Sequence, residues 1–89
     1  MKYVLFYEAG DGTAELRQQH WPAHRARWQQ FRDAGTLLLI GPFADRSGAM
    51  GVFTSREAAE EFATGDPFVL GGVIGNWYIR EWMEAILNS

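Results

Sequence analysis

Two residues of this 89-residue sequence, His24 and Asp66, have side chains that could form an acid–base pair. His24 lies in the segment PAHRARW near the predicted start of a helix, and Asp66 lies in TGDPFVL at the predicted end of another. Imidazole has an ordinary pKa near neutrality, and a carboxylate on its other nitrogen orients the ring and stabilises the imidazolium. If the fold brings the two together, they are a candidate base and its orienting acid. Otherwise they are a helix-capping residue and a turn residue.

The first half of the chain predicts a strand followed by a helix. KYVLFYE is apolar, β-branched and aromatic, which indicates a strand. Residues Thr13 to Ala34 then predict a helix that ends before Gly35. Pro22 interrupts this pattern. It either kinks the helix or, as we expect, lies in the first turn of the main helix, where its missing N–H costs nothing. In the second case TAELRQQHW is a lead-in turn or short helix, and His24 lies in the opening turn.

The second half predicts two strands, a helix and a final strand. TLLLI and AMGVFT indicate strands separated by the turn GPFADRSGA. Thr54 and Glu57 match the capping box T-x-x-E, which predicts a helix over SREAAEEFAT that ends at Gly65. The proline after Asp66 favours extended backbone there, so FVLGG is predicted as a connector. VIGNWYIREWM predicts the last strand.

The resulting order, β-α-β-β-α-β, predicts an α+β fold of the ferredoxin-like type. Right-handed crossovers place both helices on one face of a four-stranded antiparallel sheet. The helices are then antiparallel neighbours, so the start of the first lies beside the end of the second. This topology makes contact between His24 and Asp66 geometrically reasonable.

Composition predicts a single globular domain over residues 1–89. Hydrophobic residues make up 47% and aromatic residues 15%, which is rich for a short chain and predicts apolar surface that a homodimer would cover. The net charge of −3 and the missing basic stripe argue against nucleic-acid binding. Cysteine is absent, and no segment has the length of a signal peptide or a membrane span. We therefore expect a cytoplasmic protein without membrane association.

Several segments together resemble the YciI-like (YCII-related) family. They are AHRARW followed by GTLLLIGPF, then SGAMGVF, SREAAEEF and GDPFVLGGV. The resemblance covers most of the chain, from the first predicted strand to the last. His24 precedes Gly41 and Pro42 at the distance found in the family. Asp66, Pro67 and Phe68 match its D-P-[FY] motif. His20 does not align with the family's histidine.

The resemblance implies a ferredoxin-like fold of the dimeric α+β barrel type, in which the sheets of two chains pair. It also implies a His–Asp active site, here His24 and Asp66, in a pocket under the helices. One family member is a dehydrochlorinase of chlorinated hydroxyhydroquinone, in which these residues serve acid–base elimination. The muconolactone isomerases have a similar fold. No cofactor or metal is implied.

Other side chains are candidates for binding a substrate. Arg17, Arg25 and Arg27 give the first helix a basic side that could attract a carboxylate or phenolate, and Arg25 and Arg17 are the candidate contacts. The alternative is a solvated face whose arginines pair with acidic residues of the second helix, namely Glu57, Glu60 and Glu61. Phe68 belongs to a set of aromatic residues that could line a pocket or simply form core; the others are Trp21, Phe43 and Trp77.

A metal site is the weaker interpretation of the two histidines. His20 and His24 have the i, i+4 spacing of metal ligands on a helix, but Pro22 lies between them and no third ligand is evident. We therefore interpret His20 as an ordinary surface residue and expect no metal.

Two functions of different class remain open on the sequence. The first is a cofactor-free acid–base enzyme of the lyase (dehydrochlorinase) or isomerase type, acting on a small aromatic or dienolic substrate through His24 and Asp66. The second is a non-catalytic dimeric module that binds a small ligand or stabilises a partner, in which the same two residues are structural.

Overall fold

The computed structural model describes residues 1–87, which form a four-stranded sheet covered on one face by three helices. The elements are, in chain order, β1 (Lys2–Ala9), α1 (Ala14–Asp33), β2 (Leu37–Pro42), β3 (Gly48–Phe53), α2 (Arg56–Gly65), α3 (Pro67–Leu70) and β4 (Ile74–Trp82). The predicted ferredoxin-like fold is therefore confirmed. No helix within these residues combines the length and apolar character needed to cross a membrane.

The sheet is antiparallel throughout, with the strand order β2-β3-β1-β4. Side chains alternate between its two faces because successive strand residues point in opposite directions. On the central strand β1, Leu5 and Tyr7 face the helices, whereas Val4 and Phe6 face the side that carries no helix; of the four, only Phe6 is not buried. The core therefore lies on the helix-covered face of the sheet.

The core lies between α2 and the middle of the sheet. Four residues of α2 are buried, and three of them are alanines that let the helix approach the sheet closely. The fourth, Phe62, is fully buried, and its ring lies 5.4 Å from that of Phe53 on β3 and 5.2 Å from that of Phe31 on α1. These aromatic contacts fix α2 over β1 and β3.

The first helix differs from its predicted form. It runs without interruption from Ala14 to Asp33 through Pro22, and its N-cap is Thr13, whose Oγ1 accepts a hydrogen bond from the N–H of Leu16 at 3.2 Å. The predicted lead-in segment is wrong, and His24 lies in the middle of α1 rather than in an opening turn. Pro22 is exposed, so the carbonyl that loses its helical donor can bind water.

Two predicted features around α2 also need correction. The N-cap is Ser55, whose Oγ accepts from the N–H of Ala58 at 3.1 Å, so the capping box predicted at Thr54 is wrong. The segment predicted as a connector begins with the short helix α3. Its first residue, Pro67, already has the backbone angle that a helix requires. The end of α2 at Gly65 is as predicted.

Candidate active site

His24 and Asp66 are hydrogen-bonded to each other although they are 42 residues apart in the chain. Nδ1 of His24 lies 2.8 Å from Oδ1 of Asp66. Both residues are buried, with 7% of His24 and 0% of Asp66 exposed to solvent. The contact forms because α2 is half the length of α1, so the residue that follows α2 meets α1 near its middle.

The buried carboxylate of Asp66 accepts hydrogen bonds from three donors. Besides His24, the hydroxyl of Tyr7 donates to Oδ2 at 2.6 Å, and the backbone N–H of Phe68 donates to Oδ1 at 3.0 Å. A buried charge is tolerated when hydrogen bonds to charged and polar partners replace its lost hydration. The bond to Phe68 also makes Asp66 the N-cap of α3. The carboxylate is therefore held in one position from three directions.

Tyr7 remains a hydroxyl donor at neutral pH. Burial raises the pKa of Tyr7 well above its ordinary value, and the negative charge of Asp66 and the hydrogen bond to it raise the pKa further. The positive charge of Arg27 acts in the opposite direction and does not outweigh them. Tyr7 thus donates a hydrogen bond to the carboxylate of Asp66 and does not act as a phenolate base.

The tautomer of His24 follows from its partner. A carboxylate only accepts hydrogen bonds, so the hydrogen between the two side chains belongs to Nδ1, and in neutral imidazole the lone pair is on Nε2. The imidazole stacks on the ring of Phe68 with a centroid distance of 3.9 Å and an angle of 4°. Trp21 and Phe62 flank the same ring at 5.8 and 6.2 Å. These contacts fix the plane of the imidazole.

A cavity of about 660 Å³ lies between α1 and the sheet, and His24 is part of its wall. On the α1 side, Arg17, Trp21, His24 and Trp28 line it. Their spacing of four, three and four residues places them on one face of the helix. The opposite wall is largely apolar and comes from residues of all four strands, among them Leu5, Ile40, Ala49 and Ile74. The cavity therefore offers an imidazole to a small, mainly apolar ligand.

The remaining candidates for substrate binding divide into two groups. Phe68 and Arg17 line the cavity. Arg25 is exposed and is not among the lining residues within the described part of the chain, because it follows His24 directly and points about 100° away around the helix. Of the other predicted aromatics, Trp21 lines the cavity and Trp77 packs against the core. Within the described residues, Phe43 neither lines the cavity nor packs against the core.

Arg27 binds α2 in a way that the sequence did not suggest. Its guanidinium donates to the backbone carbonyls of Glu61 at 2.6 Å and Phe62 at 3.0 Å, not to the carboxylates of α2. The carbonyl of Phe62 is one of the last four of α2, which have no backbone partner within the helix, and a cation there also complements the helix dipole. Arg27 therefore fastens the second half of α1 to the end of α2.

His20 lies away from the His24–Asp66 pair. It is half-buried, and its imidazole is so close to Gly71 that a side chain at position 71 would collide with it. Within residues 1–87, no group of three histidine or carboxylate side chains is arranged to hold a metal ion.

The chain matches the family model of the YCII-related domain over residues 1–83. It belongs to the YCII-related family. Protein YciI of Escherichia coli O6:H1 (strain CFT073) and protein YciI of Shigella flexneri are each 36% identical to it over an alignment of 97 positions. Each alignment covers 96% of this chain and 99% of the relative.

A solved structure has the same fold. It is the 5-chloro-2-hydroxyhydroquinone dehydrochlorinase from Burkholderia phenoliruptrix AC1100, in complex with 2,5-dihydroxybenzoquinone. The TM-score is 0.76, the sequence identity is 18%, and the match covers 96% of each chain. At this identity the similarity establishes the shared fold.

Sequence reasoning missed three residues of the site. Tyr7 could have been found, because the alternation of side chains along a strand places it on the same face of β1 as Leu5, and that face packs against the helices. Trp28 could also have been found, since it lies four residues after His24 on the same helix face. Arg46 gave no such signal, because the sequence of a long turn does not fix the direction of its side chains.

Proposed function

We propose that this protein is a cofactor-free acid–base enzyme in which His24 is the general base and Asp66 orients it. The observation that supports this best is the 2.8 Å contact between two buried side chains, one of which lines a cavity of substrate size. A dehydrochlorinase with the same fold supports a lyase-type reaction. The hydrogen bond to Asp66 leaves Nε2 of neutral His24 as the proton acceptor.

The proposed step is an elimination or an isomerisation. Nε2 of His24 removes a proton from a saturated carbon of the substrate in a non-aromatic form, such as the keto tautomer of a phenol, and the electron pair of the broken C–H bond forms a new C=C bond. In an elimination, the neighbouring carbon–halogen bond breaks and halide leaves with its electron pair. In an isomerisation, an existing neighbouring C=C bond breaks as the new one forms, and the imidazolium returns the proton to the carbon at its far end. General base catalysis of this kind contributes about 10²–10⁴-fold.

The proposed substrate is a small aromatic or dienolic molecule. The apolar walls fit a ring, with Phe68 and Trp21 on the side of the reacting imidazole. Arg17 is proposed to contact the substrate from the same helix face as His24. Arg25 has no part in the proposed site, since it does not line the cavity.

A non-catalytic ligand-binding module is the second candidate. It is favoured by the structural contacts of Asp66, which caps α3 and satisfies the hydroxyl of Tyr7 in addition to binding His24. In that case the same hydrogen bonds keep the cavity open for a ligand, and no proton transfer takes place.

We also propose that the protein forms a homodimer through the sheet face that carries no helix. The half-buried Phe6 and Met50 line a shallow groove on this face, and its outer residues Leu39 and Tyr78 are 69% and 43% exposed. Size-exclusion chromatography with light scattering should give the mass of two chains at micromolar concentration. Leu39→Glu should give that of one chain, and a wild-type monomer would refute the dimer.

The test of the function is a substrate screen over halogenated and hydroxylated aromatics and lactones. Wild type and His24→Ala are compared, with His20→Ala as the matched control from the same helix. We expect turnover to fall by about 10²–10⁴-fold in His24→Ala and to persist in His20→Ala. Circular dichroism should show that both variants are folded. Equal turnover in wild type and His24→Ala would refute the role of His24 as the general base. Binding of a compound without turnover would favour the non-catalytic ligand-binding module.

A further inference from the structure

The charges around the cavity differ in sign from the charge of the whole chain. The protein has eight basic and eleven acidic residues, which gives a net charge of −3. Among the residues that line the cavity within the described range 1–87, however, Arg17 and Arg46 carry positive charge and no aspartate or glutamate is present. A positive lining in an acidic protein favours an anionic ligand.

The guanidinium groups of both residues are free to bind such a ligand. Arg27 donates to backbone carbonyls, and Arg32 and Arg56 pair with carboxylates. Arg17 and Arg46, by contrast, form no side-chain hydrogen bond and no ion pair with any residue between 1 and 87. The planar guanidinium can bind both oxygens of a carboxylate at once.

The two arginines lie at one end of the cavity, and His24 lies farther in. Arg17 is seven residues before His24 on the same helix face, which corresponds to about 10 Å along the helix axis. Arg46 lies in the turn between β2 and β3. This turn meets the end of β1, where the N–H of Ala9 donates to the carbonyl of Ser47 at 3.0 Å. Since α1 begins shortly after β1 ends, both arginines flank the same end.

The turn holds Arg46 in a conformation that is unfavourable for a residue with a side chain. Its φ of 65° is in the left-handed region, where glycine is the usual residue. The N–H of Arg46 donates to the carbonyl of Phe43 at 3.0 Å. The carboxylate of Asp45 accepts from the N–H and the hydroxyl of Ser47 and is not paired with Arg46. Backbone strain of this kind is common where a side chain has a functional role.

We infer that Arg17 and Arg46 bind the anionic group of the substrate, and that Arg46 determines the preference for a charged ligand. The site then takes a small aromatic carboxylate or phenolate whose anionic end faces the arginines and whose ring extends toward Nε2 of His24. The identification of this ligand as a substrate rests on the proposed function. The binding of an anion by the two arginines is independent of that function.

Isothermal titration calorimetry with benzoate and its neutral analogue benzamide tests this inference on the full-length protein. The key variant is Arg46→Gly, because it removes the guanidinium while glycine accepts the left-handed backbone, so the fold should be retained. Arg17→Gln tests the second arginine. Arg25→Gln is the matched control, since Arg25 lies on the same helix but does not line the cavity.

We expect wild type to bind benzoate at least about tenfold more tightly than benzamide, as one charge-assisted contact suffices for that ratio. Arg46→Gly and Arg17→Gln should each weaken benzoate binding by about tenfold and leave benzamide binding unchanged, whereas Arg25→Gln should change neither. Equal affinity of wild type for both probes, or unchanged benzoate binding in folded Arg46→Gly, would overturn the inference.

The titration and the substrate screen together separate this inference from the proposed function. If wild type prefers benzoate over benzamide, and Arg46→Gly loses this preference, the anion site stands even when the screen finds no turnover and the proposed function fails. If the substrate screen finds turnover of neutral and anionic substrates at equal kcat/KM, the proposed function survives and the inference fails.

Discussion

The helices α1 and α2 lie on the same sheet face but bury different kinds of residue. In α2, Ala58, Ala59, Phe62 and Ala63 are buried, and all are apolar. In α1, whose residues 14–33 are all described, the one buried residue is the polar His24. Helix α2 is held by hydrophobic contact with the sheet, whereas the first half of α1 is held above it with a cavity beneath.

This difference separates the residues that stabilise the fold from those that form the site. Burying apolar area contributes about 25 cal/mol per Å², so the tight packing of α2 supplies stability that the first half of α1 does not. The second half of α1 is attached to the core through Phe31 and Trp28. The first half packs instead against the short helix α3, where the rings of Trp21 and Phe68 are 6.4 Å apart, and Arg17 on this half lines the cavity.

The largest effect is expected from Phe62→Ala. Phe62 is 0% exposed and touches the rings of Phe31 and Phe53, so its removal should lower the free energy of unfolding by about 3–5 kcal/mol. Trp21→Ala, in the first half of α1 and 46% exposed, should cost no more than about 1 kcal/mol. Urea denaturation followed by circular dichroism measures both. Similar losses would show that the two helices contribute equally to stability.

Tyr7→Phe should have the next largest effect, because it leaves Oδ2 of the buried Asp66 without its donor. A buried acceptor that loses its partner costs about 1–3 kcal/mol, and more when it is charged. Phenylalanine keeps the ring, so the contacts of residue 7 with the helices should be retained. Urea denaturation at neutral pH measures the loss, and a loss near zero would show that the hydroxyl does not stabilise Asp66.

The stability difference between wild type and Tyr7→Phe should also depend on pH. The folded-state pKa of Tyr7 is raised above the ordinary value of about 10, so above pH 10 the unfolded chain loses this proton while the folded chain keeps it. The contribution of Tyr7 is therefore complete below pH 10 and falls as the pH rises above it. The difference should stay constant from about pH 7 to 9 and shrink by pH 11. A constant difference throughout would contradict the raised pKa.

A smaller effect is expected from Arg27→Gln, which breaks the attachment of α1 to α2. The variant loses two charged donors to the carbonyls of Glu61 and Phe62, and we expect a loss of about 1–2 kcal/mol. Arg25→Gln is the control, because Arg25 is exposed and its replacement should change stability by less than about 0.5 kcal/mol. If the two variants unfold at the same urea concentration, Arg27 does not join the helices.

Local sequence signals were reliable where the responsible interaction is itself local. Gly65 marked the end of α2, and the order of strands and helices gave the ferredoxin-like fold. The signals at Thr54 and Pro22 misled, because each supports more than one outcome. A serine directly after Thr54 offers an equally good cap, and a proline on an exposed helix face can be tolerated within the helix.

The sequence by itself determined which elements form, and through their order it also determined that His24 and Asp66 lie near each other. Both follow from hydrophobic periodicity and from the few topologies open to such an order. Only the tertiary structure decided that Tyr7 shares the carboxylate of Asp66, that Arg25 points away from the cavity and that Arg46 points into it. These outcomes depend on helix length, strand register and turn geometry, which arise from packing between distant segments and leave no signal in any one of them.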